Sequence, residues 1–305
     1  MSIVIPAYNE EGAIYGTIAT LKTVFPNSEI IVVDDGSDDA TFENAKRASG
    51  IKLAKHLFNR GYGSAIKTGM GIATREYVAW FDADCEHNPD DLKGMLETIE
   101  RESLVAIIGQ RSRSASAPFL RIFGKWLIKM TARSLRVKAG PDLNCGLRIF
   151  RRKVVIHYLP LLPDGYSASL TTTMIMVERG YPFAFYPVTT GQRVGYSKVK
   201  LADGFIALVL VVRTIMLFAP LRIFFGFGMF LLFAGLLYGV PMALVYGHGF
   251  PAAAVLVVLA GLLLCMLGLV ADQISQMRLS KHVPPGEFTF TDTGADGKGD
   301  ANQNG

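Results

Sequence analysis

The chain has 305 residues, a net charge of +5, half of its residues hydrophobic and only 19% charged. With a mean hydropathy of +0.31, it does not read as soluble from end to end, and its length allows one large domain or one domain plus an appendage. Three widely spaced cysteines (Cys85, Cys145 and Cys265) offer no metal or redox spacing and fit a reducing compartment. The basic balance suits a negatively charged membrane face and anionic substrates; no motif for nucleic acid accompanies it.

Taken in chain order, Ile3 to Pro6, Glu29 to Val33 and Tyr77 to Phe81 are short β-rich runs that end in polar residues. Between them, about Glu10 to Val24, Asp39 to Ala48 and Tyr62 to Ala73 carry helical patterning. This βαβα punctuation predicts an α/β fold with a mostly parallel sheet covered by helices. In such sheets ligands bind at the carboxyl ends of the strands. Residues 104–109, 144–150 and 183–188 read as further strands, and Phe119 to Arg136 as a basic amphipathic helix.

The apolar surplus lies further on. Leu201 to Ala219, stopped by Pro220, reads as a helix lying in the membrane interface. Ile223 to Gly247 holds no charge, and a second uncharged run reaches Ala271. At about 1.5 Å per residue each run covers a hydrocarbon core of ~30 Å, so a transmembrane hairpin is expected. Arg213 and Arg222 precede it, Arg278, Lys281 and His282 follow it, and the turn has neither Lys nor Arg. That asymmetry predicts cytoplasmic termini and a cytoplasmic N-terminal domain, and Met1 leads into a strand rather than a signal peptide. The expected organisation is a globular domain over 1–200, an interfacial helix over 201–220, two spans within 221–274 and a disordered tail over 283–305.

The strand ends carry the chemistry. They read Pro6-Ala7-Tyr8-Asn9-Glu10-Glu11, Asp34-Asp35-Gly36-Ser37 and Asp82-Ala83-Asp84. One such cluster alone would be ordinary turn chemistry; three at consecutive strand ends favour a site. Gathered carboxylates need a cation or donors to be stable together. Asp82 and Asp84, two apart around a small residue, suit a hard divalent metal such as Mg²⁺, which would also bind a diphosphate. Beyond them Arg121, Lys125, Lys129 and Arg133 recur every four residues. Like charges at that spacing weaken a helix, and a lipid phosphate or anionic membrane surface would offset the repulsion.

Together, Ile3-Val4-Ile5-Pro6-Ala7-Tyr8-Asn9-Glu10, Val33-Asp34-Asp35-Gly36-Ser37 and Asp82-Ala83-Asp84 resemble the family 2 glycosyltransferases of GT-A fold. Within that family the chain is most similar to the polyprenol-phosphate sugar synthases, such as those for dolichol-phosphate mannose and undecaprenyl-phosphate glucose. The resemblance implies that Pro6, Tyr8, Glu10, Asp35, Asp82 and Ala83 bind a nucleotide sugar, with UDP or GDP open. It implies that Asp82 and Asp84 hold Mg²⁺ or Mn²⁺; Glu86, where many relatives have Gln, is a third candidate ligand. Gly109-Gln110-Arg111 resembles the family's Gly-Ser-Arg, and Arg193-Val194-Gly195-Tyr196-Ser197-Lys198 its Arg-x-Gly-x-Ser-Lys. Arg111, Arg121, Arg193, Ser197 and Lys198 are thereby implied to hold the phosphate of a polyprenyl acceptor, with Asp82, Asp84 and Arg193 as the catalytic set. Asp142 to Arg148 is similar to Asp-x-x-Ser-Gly-Phe-Arg, with Cys145 in place of Ser. Gly165-Tyr166-Ser167-Ala168-Ser169 departs from relatives with acidic residues there, which leaves sugar choice or simple packing as its role.

A phosphate monoester, with a second pKa of ~6, is mostly dianionic at neutral pH and needs no general base. Between residues 150 and 200 the only acidic residues are Asp164 and Glu178, far apart, so the expected reaction is in-line attack by the lipid phosphate with inversion. The alternatives are transfer to a lipid hydroxyl with Asp164 as base, a processive polysaccharide synthase, for which the spans are too few and the Gln-x-x-Arg-Trp motif is absent, and a non-catalytic nucleotide-sugar-binding scaffold. Expected partners are the donor, the polyprenyl phosphate and the bilayer; a homo-oligomer is left open.

Overall fold

The computed structural model describes residues 1–84, 86–111, 145–189, 216, 220–247 and 249–280. A seven-stranded sheet has the order β3-β2-β1-β4-β6-β5-β7. Its strands are β1 (Ser2–Ala7), β2 (Glu29–Asp34), β3 (Lys52–Lys55), β4 (Tyr77–Trp80), β5 (Ala106–Arg111), β6 (Arg148–Arg151) and β7 (Phe183–Val188). β6 runs antiparallel to both β4 and β5, and the other pairings are parallel.

Side chains alternate between the faces of a strand, so a sheet covered on both sides carries apolar residues at every position. Val4, Ile31, Val33, Val78, Trp80 and Phe150 enter one core. Their neighbours Ile3, Ile5, Ile30, Val32, Ala79 and Ile149 enter the other. Each Val, Ile or Phe side chain among them contributes about 1.5–3 kcal/mol when removed from water.

The first core is closed by α3 (Tyr62–Ile72) and α6 (Ala168–Glu178). On α3, a β-carbon at Gly69 would lie 2.2 Å from Val4 Cγ1, so this glycine lets the helix sit directly on β1. α6 is buried from Ala168 to Met176 without a polar face, as expected of an interior helix. Between β6 and α6 lie a single-turn α5 (Arg152–Val155) and a 3₁₀ segment, Ile156–Leu161. The second core is closed by α1 (Ile14–Val24) and α4 (Pro89–Arg101), with Ala45 of α2 (Thr41–Lys46) at its edge. α1 buries Ile14, Ile18 and Leu21, and α4 buries Leu92, Met95 and Ile99. α4 begins on an Asn88 cap whose side chain accepts from Asp90 N at 3.0 Å, with Pro89 in its first turn.

The expected α/β sheet is present, with two corrections. The strand placed at 144–150 begins at Arg148 and is antiparallel. β3, α4 and α6 were not anticipated.

Two long helices follow, α7 (Pro220–Tyr246) and α8 (Ala252–Ser280). Both are long and apolar enough to cross a membrane. They pack through small residues: a β-carbon at Gly261 would lie 2.7 Å from Gly228 O, and one at Gly235 2.7 Å from Val258 Cγ2. Outward, Phe227, Phe230, Leu237, Leu244, Leu256 and Leu263 are exposed, the surface expected of helices solvated by lipid. The interfacial helix placed at 201–220, apart from Met216 and Pro220, and the tail placed at 283–305 lie outside the described residues.

Candidate active site at the carboxyl rim of the sheet

The parallel strands β1, β2 and β4 end on one rim. After β1 the backbone turns at Asn9, whose φ of 55° lies in the left-handed region that Asn tolerates. Its amide donates to Ser37 Oγ at 3.0 Å and its Oδ1 accepts from Asp38 N at 3.0 Å. Glu10 N donates to Thr41 Oγ1 at 2.8 Å, and Glu11 Oε2 accepts from Ala40 N at 3.0 Å. The loops after β1 and β2 are therefore laced into one cradle, which carries Tyr8 and Glu10.

Asp34 turns back to accept from the Ser37 amide at 3.1 Å and from its hydroxyl. Asp35 is nearly buried and organises the next loop. Its Oδ1 meets His56 Nδ1 at 2.6 Å and accepts from Arg60 N at 3.0 Å, and its Oδ2 accepts from Gly61 N at 2.7 Å. His56 Nε2 in turn meets Thr68 Oγ1 at 2.9 Å. A β-carbon at Gly36, where φ is +73°, would lie 2.5 Å from Phe58 C, so this loop closes only over glycine. Asp35, expected on base or ribose, is here engaged by His56 and the backbone of Arg60 and Gly61, and so holds the loop after β3 against the end of β2.

Asp82 occupies the centre of the rim. Tyr62, the first residue of α3, donates its hydroxyl to Asp82 Oδ1 at 3.0 Å. His87 Nε2 lies 3.2 Å from Asp82 Oδ2. The loop before β6 comes so close that a β-carbon at Gly146 would lie 2.2 Å from the same oxygen. Burial pushes the Asp82 carboxyl pKa up, but His87, then Tyr62 and the charge of Arg111, pull it down further, and it ends below its ordinary value. His87 shows the converse: burial opposes its proton, Asp82 favours it more, and its pKa is raised. Burial and the Asp82 charge hold the Tyr62 phenol well above its ordinary value, so it remains a donor throughout the neutral range.

Asp84 is buried, and its Oδ1 accepts from Glu86 N at 3.2 Å. Glu86 accepts from Arg111 Nη1 at 3.3 Å. Among the described residues no group of three or more His, Cys, Asp or Glu side chains is arranged to hold a metal. Asp82, Asp84 and Glu86 therefore do not converge as the expected three-carboxylate ligand set: Glu86 is drawn to the guanidinium at the end of β5. The oxygen donors of Asp82 and Asp84 fit a hard divalent cation that keeps few protein ligands and shares a diphosphate.

Under the rim lies Arg148, fully buried. Its Nε donates to Cys145 O at 2.7 Å, and its Nη1 to Thr172 Oγ1 and Thr173 Oγ1 at 3.0 and 2.7 Å. Charge-assisted bonds of this kind offset the cost of burying the cation. Tyr62, His87 and His56 were absent from the sequence-derived site, and Arg148 entered it only as the end of a motif. Of the expected residues, Pro6, Tyr8, Glu10, Asp35, Asp82, Ala83, Asp84, Glu86 and Arg111 fall on this rim or in its loops. Arg121, Arg193, Ser197 and Lys198 lie outside the described residues.

A mostly parallel α/β sheet whose strand ends lace two loops into a cradle beside an Asp-Ala-Asp turn defines a nucleotide-sugar-type transferase fold. The glycosyl transferase family 2 pattern matches residues 2–159, and the pattern for the GtrB C-terminal hairpin matches residues 219–277. The chain belongs to glycosyl transferase family 2. It is 30% identical over 165 residues to a dodecaprenyl-phosphate galacturonate synthase of Rhizobium johnstonii, an alignment that covers 51% of this chain and 48% of that protein. It is 26% identical to an undecaprenyl-phosphate 4-deoxy-4-formamido-L-arabinose transferase of Proteus mirabilis, covering 91% of this chain and 89% of that one. The fold is similar to that of glucosyl-3-phosphoglycerate synthase from Mycobacterium tuberculosis, solved with Mn²⁺, UDP and phosphoglyceric acid, at a TM-score of 0.57 and 19% identity over 70% of this chain and 76% of that one.

Proposed function

We propose that this protein is a membrane-anchored, inverting glycosyltransferase that moves a sugar from a nucleotide donor onto a polyprenyl phosphate at the cytoplasmic membrane face. The observation that carries the reading is the Asp82–Asp84 turn beside the laced cradle, in a chain that also bears two bilayer-length helices. The names of the Rhizobium and Proteus relatives support the acceptor class.

Tyr8, Glu10 and Asp35 bind the nucleoside, while Pro6 and Ala83 line the pocket. Asp82 and Asp84 would hold Mg²⁺ or Mn²⁺ with the donor's diphosphate, and the ion would supply neutralisation of the leaving group's charge. Tyr62 and His87 fix the Asp82 carboxylate so that it is not reorganised as the leaving group departs. Arg111, with Arg121, Arg193, Ser197 and Lys198, holds the lipid phosphate in line with the anomeric carbon. The phosphate dianion attacks that carbon, its bond to the diphosphate oxygen breaks, and the configuration inverts. No proton needs removal, so no base is required.

The test is a donor screen. Protein in detergent with Mg²⁺ and undecaprenyl phosphate is offered UDP-glucose, UDP-galactose, UDP-galacturonate and GDP-mannose, and lipid-linked sugar is read by mass spectrometry. One donor should yield a sugar-lipid that disappears with EDTA and in Asp84→Ala. Donor binding with no transfer to any phospho-polyprenol would overturn the reading.

A further inference from the structure

Tyr166 is 80% exposed, yet its mounting is rigid. The segment before it is clamped to α3. Lys67 Nζ donates to Leu162 O at 3.2 Å and pairs with Asp164, and Ser64 N donates to Asp164 O at 3.1 Å. β-Carbons at Gly61 and Gly63 would lie 2.5 Å from Asp164 O and 2.1 Å from Pro163 O. Only glycines let the helix start and this segment approach so closely. The Tyr166 ring stacks on Tyr62, centroids 5.4 Å apart and planes 20° from parallel. Tyr62 is the residue whose hydroxyl holds Asp82.

Single exposed aromatic rings are common on protein surfaces, but this one is backed by a second ring and seated on a segment tied to α3. A clamped, exposed ring one residue removed from the proposed diphosphate-binding carboxylate is a surface built to be met. What lies next to a donor's diphosphate is its sugar. One face of a pyranose is a patch of C–H bonds, which packs on the electron-rich face of an aromatic ring. Inverting a hydroxyl-bearing carbon changes how many C–H bonds share that face. We propose that Tyr166, backed by Tyr62, is the platform for the donor's sugar ring and sets which sugar is accepted. The inference rests on the transferase reading and deepens it.

The test is read by binding, so it does not depend on transfer. Calorimetry with Mg²⁺ compares UDP-glucose, UDP-galactose, UDP-galacturonate and GDP-mannose with UDP and GDP, on the full chain and on Tyr166→Ala and Tyr166→Phe. In Tyr166→Ala the best-bound nucleotide sugar should weaken roughly fivefold to tenfold, its nucleoside diphosphate should bind within twofold of the parent, and the ranking of the two galactose-configured donors against UDP-glucose should compress. Tyr166→Phe keeps the ring and should keep the parent's values. Equal weakening of sugar nucleotide and nucleoside diphosphate in Tyr166→Ala, or no change in either, would overturn the inference. The donor screen fails or succeeds separately, since it reports lipid-linked product.

Discussion

Gly146→Ala tests the centre of the site. The φ of Gly146 lies outside the left-handed region, so alanine brings no backbone strain of its own. The β-carbon would lie 2.2 Å from Asp82 Oδ2, 3.0 Å from Cγ and 3.1 Å from Oδ1, whereas ordinary van der Waals contact begins at 3.4 Å. Something must move by about 1.2 Å. The backbone of this loop is poorly placed to yield: Cys145 and Leu147 are fully buried, Arg148 Nε binds Cys145 O at 2.7 Å, and Gly109 N binds Leu147 O at 2.9 Å. The carboxylate therefore shifts, loses its alignment with His87 and strains its bond to Tyr62. A misplacement of about 1 Å costs on the order of 10²-fold in rate, or ~2.7 kcal/mol of transition-state stabilisation. The assay is steady-state transfer to undecaprenyl phosphate with the donor from the screen, with a thermal melt to confirm folding. A Gly146→Ala protein within twofold of the parent in kcat/KM, at an unchanged melting point, would refute the placement of Asp82 at the reacting centre.

Tyr62→Phe removes one hydrogen bond to a carboxylate and keeps the ring, so kcat/KM should fall about tenfold to a hundredfold while the melting point changes little; an effect below twofold would contradict a positioning role. Glu29 ties the edges of β1, β2 and β3 together, accepting from Ser2 Oγ and Thr74 N and pairing with Lys52. Burial pushes its pKa up, but the bonds from Lys52, Ser2 and Thr74 prevail and bring it from an ordinary 4.5 to about 2. The folded state therefore binds fewer protons than the unfolded chain. The Glu29 contribution is complete above about pH 4.5 and disappears as pH falls towards about 2. Glu29→Gln should melt lower than the parent at pH 7, with the gap closing across that window; a gap that does not vary with pH would refute the assignment. Gly261→Leu would drive a side chain into Gly228 O and Leu232 of α7, an overpacking worth about 1–3 kcal/mol. Its unfolding midpoint in detergent should drop by several degrees, and an unchanged midpoint would mean that the hairpin does not pack through this glycine.

The parts of this architecture that could be read from the sequence are those where one local signal suffices. β1, β2 and β4 announce themselves as short β-rich runs with polar ends, and α7 and α8 by uninterrupted apolar length. β3 escaped because Lys52-Leu53-Ala54-Lys55 is an edge strand with charged ends, the composition that protects an open edge and hides a strand. α6 escaped because Thr171, Thr172 and Thr173 are buried beside Leu170 and Met174; with no polar face there is no period to detect. α4 did carry readable signals in Asn88, Pro89, Asp90 and Asp91. The direction of β6 is a tertiary fact that no run of four residues encodes. The site divides in the same way. The carboxylates at strand ends were legible as a pattern, whereas Tyr62 and His87 matter only because α3 and the turn after Asp84 bring them onto Asp82. Glu86 was legible as an acid, but its partner Arg111 stands at the end of another strand.

The reversed direction of β6 has a consequence for how such a chain can diversify. β5 arrives at the rim at Arg111, and β6 departs from it at Arg148, with Ile108 and Arg148 in register. The chain thus leaves the sheet at Arg111 and returns to it through Cys145, Gly146 and Leu147 at a neighbouring point of the rim, beside Asp82. Closing a longer loop between fixed ends costs only about 0.6 kcal/mol per doubling of length. A change in the length of 112–144 therefore need not move either strand end, whereas Cys145, Gly146 and Leu147 are fixed by their contacts with Arg148, Asp82 and Gly109. A scaffold wired this way can absorb change within one insert at its rim while the strands that carry the Asp82–Asp84 turn keep their places.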